Sequence, residues 1–203
     1  MALMILRRMA NIDRMRRLHT LVLGGLLFAG ARTLPGQTRE EFQEADHAVV
    51  RLAPSQFPDL PTNLVRELEN RGCAVPQELH ATARQNVIRG EFKQRGQFGW
   101  AVLCSKDRVS TILVFWGGTE KAPSELAAAE DLRYLQTTGC NKISFSRVIS
   151  PIGRKMILRS YEAFGGPEPR EIDHEGIEDA FVGKASVIHY FSDGNWLELT
   201  GAD

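Results

Sequence analysis

The sequence has no run of about 20 apolar residues, the length a helix needs to cross the hydrocarbon core of a bilayer. Its apolar stretch near the N-terminus, Leu18 to Phe28, is too short and is soon followed by Arg32. Neither sign of charge dominates, since 25 Lys and Arg stand against 25 Asp and Glu. No cluster of Lys and Arg follows Arg39. That argues against nucleic acid or an anionic membrane surface as a main partner, because both reward concentrated positive charge. There is no internal repeat, which excludes a repeat array, and no low-complexity tract. The G-x-S-x-G elbow of one hydrolase class is missing too. Trp116-Gly117-Gly118-Thr119-Glu120-Lys121 has the look of a phosphate loop but lacks its Gly-Lys-Ser/Thr ending, so a plain connector is expected. His47, His80, His174 and His189 show none of the short spacings of metal sites. No cofactor is expected.

What is present points first to export. Arg7, Arg8, Arg14, Arg16 and Arg17 precede the apolar run, and Ala29-Gly30-Ala31 follows it with the small side chains that signal peptidase requires. Residues 1–31 read as a signal peptide, with no cysteine placed for lipid anchoring. The removed segment carries five Arg and one Asp, so the remainder becomes net acidic. No stable membrane insertion is expected after processing, and the localisation implied is secreted or periplasmic.

The remainder reads as an extended lead-in over 32–61, broken by Pro35, Pro54, Pro58 and Pro61, and one domain over 62–203. Within the lead-in, 39–50 can form a short helix. Leu64, Val65 and Leu68 share a helical face over 62–71, and Gly72 supplies a left-handed stop. A strand fits 86–92. Two runs apolar on both faces, 98–105 and 109–116, read as a central hairpin turning at Lys106-Asp107. A helix is expected from Ser124 to about Gln136, a strand over 142–149, and a helix opening at Ser150-Pro151 and ending near Phe164. A short acidic turn or helix over 177–182 then leads to a closing hairpin across Ser192-Asp193-Gly194-Asn195. The fold class implied is α+β: a largely antiparallel sheet of about five to six strands with two to four helices packed on it.

Arg71-Gly72-Cys73-Ala74-Val75-Pro76-Gln77, Asn86-Val87-Ile88-Arg89-Gly90-Glu91-Phe92, Trp100-Ala101-Val102-Leu103-Cys104-Ser105 and Ile112-Leu113-Val114-Phe115 carry a resemblance. With Ile172-Asp173-His174-Glu175-Gly176-Ile177 and the closing stretch to Trp196, they resemble a family of uncharacterised secreted bacterial proteins. The resemblance implies export and a single domain, and no activity.

Three cysteines follow the signal region. In an oxidising compartment a disulfide is the default, and Cys73, after a helix stop, can meet Cys104 at the end of a central strand. Cys140 is the odd thiol. His189 lies in a strand beside Val187 and Phe191, as a hydrogen-bonded core histidine would. Asp173, His174, Glu175, Glu178 and Asp179 form a dense acidic turn. Such carboxylates suit Ca²⁺ or an acid/base pair. The plainer reading, and the one expected, is that Asp173 or Glu175 caps a short helix while Glu178 and Asp179 are solvated and replaceable.

Together these features suggest an exported, non-enzymatic binding or interaction module. Its partner would be a protein, an envelope component or a small ligand. The alternative is a periplasmic hydrolase using carboxylates in a cleft. Intact-mass measurement of protein exported to the periplasm or medium should show loss of residues 1–31. A mature chain still holding Leu18 to Phe28 would refute the signal peptide.

Overall fold

The computed structural model describes residues 37–202 except 80, 120, 140 and 141. The expected signal peptide and Cys140 therefore lie outside the described residues. In chain order the elements are α1 (Arg39–Ala48), β1 (Arg51–Leu52), α2 (Thr62–Asn70), β2 (Val75–Pro76), β3 (Val87–Gly90), β4 (Gly99–Lys106) and β5 (Val109–Phe115). Then follow β6 (Ser124–Glu130), β7 (Leu135–Thr137), β8 (Ile143–Phe145), β9 (Arg147–Ile152), α3 (Arg154–Phe164), β10 (Gly176–Phe181), β11 (Ala185–Ser192) and β12 (Asn195–Thr200). The strands form four antiparallel sheets: β3-β4-β5-β6, β12-β11-β10-β9, and the pairs β1-β2 and β7-β8.

Local signals explain several of these elements. Leu64 and Leu68, one helical turn apart, bury the inner face of α2. Gly72, at φ +74°, ends that helix, and the Cys73 amide reaches back to the Leu68 carbonyl at 2.9 Å. The β4–β5 hairpin pairs Lys106 with Val109 across Asp107 and Arg108, one residue later than expected. Both turn residues have positive φ, as a tight two-residue hairpin requires. The closing β11–β12 hairpin uses Asp193 and Gly194 in the same way.

β4 and β5 are covered on both faces. Val102, Cys104, Leu113 and Phe115 pack against Leu64 and Leu68 of α2. On the opposite face Leu103, Ile112 and Val114 pack with Ile149 of β9 and Ile177 of β10. The two four-stranded sheets therefore share a core. A third cluster fills the far side of the second sheet, where Ile157 of α3 meets Ile188, Tyr190 and Leu199. Within 32–61, expected as an extended lead-in able to form a short helix over 39–50, the described residues carry that helix as α1, add β1, and send Phe57 and Leu60 into the first of these cores.

The architecture is mostly β, with twelve strands in four small sheets and three α-helices among the described residues. This corrects the expected α+β plan of a single sheet of five to six strands with helices packed on it. Segment 124–136, rich in Ala and Leu, is not helical: β6 adds to the edge of β5, and a single 3-10 turn joins it to β7. Pairing with β5 overrides the helical preference of Ala-rich sequence. The expected strand over 142–149 is two strands that break at Ser146 and join different sheets. Pro151 does not open a helix but stands within β9, opposite Ile177. β9 is an edge strand, where a residue without an amide hydrogen is tolerated. The acidic segment over 177–182 is not a helix or turn either; most of it is β10, in the interior of its sheet.

Leu103 is fully buried and Leu113 is 3% exposed. Leu103→Ala or Leu113→Ala should each cost about 2–5 kcal/mol through lost burial and a residual cavity, read from urea unfolding. A cost below about 1 kcal/mol at both would contradict burial on two faces.

Candidate functional site

The carboxylates of the acidic segment point apart because strand alternation sends neighbours to opposite faces. Asp173 is exposed. Glu175 caps no helix: its carboxylate accepts the Glu91 amide at 2.9 Å, and its own amide donates to the Glu91 carbonyl at 3.0 Å. The His174 ring donates through Nδ1 to the Glu175 carbonyl. Glu178 accepts from Ser150 and Ser186 at 3.3 and 3.0 Å. Asp179 is buried on the other face. Among the described residues no three His, Cys, Asp or Glu side chains converge as a metal ion would need.

Asp179 is not the solvated, replaceable residue expected from its neighbours. Arg147, with no solvent exposure, grips it with a fork, Nε to Oδ1 at 2.8 Å and Nη2 to Oδ2 at 2.7 Å. The remaining guanidinium hydrogens go to the Ser110 carbonyl and hydroxyl at 3.1 and 3.0 Å and to the Ala127 carbonyl at 2.7 Å. The Tyr134 ring lies 4.4 Å from the guanidinium carbon. Buried His189 stands between two carboxylates, 3.2 Å from Glu198 and 3.9 Å from Asp179, and neither ring nitrogen makes an aligned hydrogen bond. Burial pushes the Asp179 carboxyl up, and His189 and Arg147 more than reverse that, holding it below the usual carboxylate range. Arg147 is the firmer of the two, since 3.9 Å is beyond hydrogen-bond length. Arg147, Asp179 and His189 are buried in the core, while Glu198 reaches the surface.

A cleft of about 800 Å³ opens among the described residues. Its floor is apolar, with Phe57, Leu60, Val87, Trp100 and Phe145, and Ala45, Ala48 and Val49 from the end of α1 form one wall. Residues 77–79 and 81–84 form another wall. Asp59, Glu78, Arg84 and Lys142 bring charge to the lining. Polar ties hold both walls in place. Arg51 donates to the Asp46 carbonyl and carboxylate at the end of α1, at 2.8 and 2.6 Å, and to buried Asp131 at 2.7 Å. Ser105 of β4 donates to the same Asp131 oxygen at 2.6 Å. The Gln77 side chain closes the loop on itself: its amide donates to the Gln85 carbonyl at 3.1 Å, and its oxygen accepts the Gln85 amide at 2.8 Å. Cys73 and Cys104 form a disulfide with Cα atoms 5.1 Å apart, pinning the end of α2 to β4. A loop of this length contributes about 3–4 kcal/mol in the chain-entropy model.

None of the lining residues was singled out as a site residue by the sequence. They come from five separate segments with no shared spacing, so no local motif exists to find. Arg147 did leave a signal: it continues the alternation of Ile143, Phe145 and Ile149, and a cation in that register needs a buried partner.

A carboxylate with a native pKa below its unfolded value of about 3.9 stabilises the fold above that value and stops doing so as pH falls through the native one. Asp179→Asn should therefore destabilise by about 3–5 kcal/mol at pH 7, because it leaves Arg147 buried without its counter-charge. The gap from wild type should shrink below about pH 4, measured by urea unfolding at stepped pH. A gap undiminished in acid would mean that ionised Asp179 does not carry the effect. No family model, curated protein or solved structure matches the chain.

Proposed function

We propose that the protein is an exported, non-catalytic binding domain that takes a small, largely apolar molecule in the cleft between α1, the 77–84 loop and Trp100. The observation that carries this reading is the cleft itself. Its volume, about 800 Å³, lies in the range of roughly 300–1,000 Å³ that suits small ligands, and a mostly apolar wall with a few polar groups is their usual environment. The Cys73–Cys104 disulfide fits an oxidising compartment. Among the described residues no helix is long and apolar enough to cross a membrane. Trp116, Phe191 and Trp196 are half-buried and pack on one another with ring centroids 5.1–5.6 Å apart.

A second reading keeps hydrolysis, because Asp59 and Glu78 line the same cleft and paired carboxylates can do acid/base work. It requires turnover of a bound ligand that Asp59→Asn abolishes. Binding without turnover supports the first reading.

Titration with Nile red, a neutral apolar probe, should show one saturable site that quenches or shifts Trp100 emission. Ala48, exposed at the end of α1, lines the cleft. Ala48→Trp should occupy part of the space and weaken binding by about tenfold or more, a loss of roughly 1.4 kcal/mol, at an unchanged melting temperature. Equal binding by the variant would place the probe elsewhere and remove the support for this cleft.

A further inference from the structure

Resting on the reading of the cleft as a ligand site, we propose that its ligand is a neutral apolar molecule carrying a carbonyl oxygen, which accepts a hydrogen bond from the Trp100 indole N–H.

Of the floor residues, Phe57, Leu60 and Phe145 are buried, while Val87 and Trp100 keep part of their surface open. A ligand on this floor therefore lies against Trp100. The ring is well placed by its surroundings. In register Trp100 stands between Arg89 of β3 and Phe115 of β5, and it packs against the cluster that includes Phe57, Leu64 and Val102.

The three tryptophans of the chain differ at their N–H groups. Trp116 donates to the Ser124 hydroxyl at 3.3 Å, and the Trp196 N–H is sealed from solvent. Among the described residues the Trp100 N–H has no hydrogen-bond partner, and it is not one of the sealed groups, so it is open to water. An indole nitrogen can only donate. A ligand that displaces water from it must bring an acceptor or leave the N–H unpaired, which costs binding free energy.

The rest of the lining narrows the choice of acceptor. Asp59 and Glu78 stand against Arg84 and Lys142, so its charges give preference to neither sign. The Gln77 side chain is spent within its own segment, on the Val75, Pro76 and Gln85 carbonyls at 3.2, 3.1 and 3.1 Å and on the Gln85 amide. Buried Ser144 donates to the Thr138 hydroxyl at 3.5 Å. Thr82 is exposed, where water satisfies its hydroxyl. An alcohol or amide on the ligand would carry a hydrogen of its own onto an apolar floor that has nothing to accept it. A ketone or ester oxygen accepts and brings no such hydrogen.

The test pairs two ligands of nearly equal size, 2-acetylnaphthalene and 2-ethylnaphthalene, which differ by the carbonyl. Each competes with Nile red on the full exported protein and on its Trp100→Phe variant. Phenylalanine keeps an aromatic ring on the floor and removes the N–H. The quantity compared is the ratio of the two affinities within each protein, so the ligands' own hydration cancels. That ratio should favour the ketone about fivefold more in the wild type than in the variant, the size of one neutral hydrogen bond. Infrared difference spectra of 2-acetylnaphthalene bound to the wild type should place its carbonyl stretch below the position in hexane, a measurement independent of whether the variant folds. A stretch at the hexane position, or equal ratios in the two proteins, would overturn the acceptor assignment and leave the apolar-ligand reading standing. If neither ligand displaces Nile red, both fall.

Discussion

The Arg147 guanidinium, fully removed from water, lies where the two four-stranded sheets face each other, and much of the architecture follows from satisfying it. A buried charge without a partner costs several kcal/mol. Arg147 therefore requires Asp179 from β10, Ser110 from β5 and the Ala127 carbonyl from β6 within reach at once. Those contacts bind one sheet to the other in a defined register. They also account for an irregularity in β6. Register shifts between Ser110 and Ile112, and Ala127 takes a φ of +50°, which an alanine adopts at a cost of roughly 1–2 kcal/mol. The Ala127 carbonyl is the one to which Arg147 donates. The bulge and the ion pair support each other.

A second buried polar centre does similar work elsewhere. Asn86, 1% exposed, takes a φ of +70°, a conformation Asn tolerates better than most residues. Its side chain donates to the Pro76 and Arg147 carbonyls and accepts the Ile149 amide, so β2, β9 and the start of β3 meet at one residue. The Arg51–Asp46–Asp131–Ser105 network fastens the end of α1 over β4 in the same manner. These ties fix the positions of elements from which the lining of the cleft is drawn.

The fold was legible where short-range chemistry decides. The α2 stop at Gly72 and the closing turn at Asp193-Gly194 depend on residues that accept positive φ, and the β4–β5 hairpin on two runs of apolar residues flanking a polar turn. Each of those signals sits within a few residues of the structure it specifies. The same local logic misread β6, because Ala and Leu favour a helix in isolation and only the β5 edge makes that segment a strand. It misread β10 as well. Glu178 and Asp179 look like solvated acids until Ser150 and Ser186 reach one and Arg147 the other, from positions about 30 residues away along the chain in the case of Ser150 and Arg147.

The sequence by itself determined the turns, the two-sided burial of β4 and β5, and the pair of cysteines able to meet, since each rests on side-chain type and near-neighbour spacing. Tertiary structure alone decided which carboxylate is buried, how the strands divide among four sheets, and where a cleft opens. Those outcomes depend on which distant partner satisfies a buried charge or an unpaired strand edge. Arg147 sits 32 residues from Asp179 and 37 from Ser110, and no pattern within a single segment records that choice.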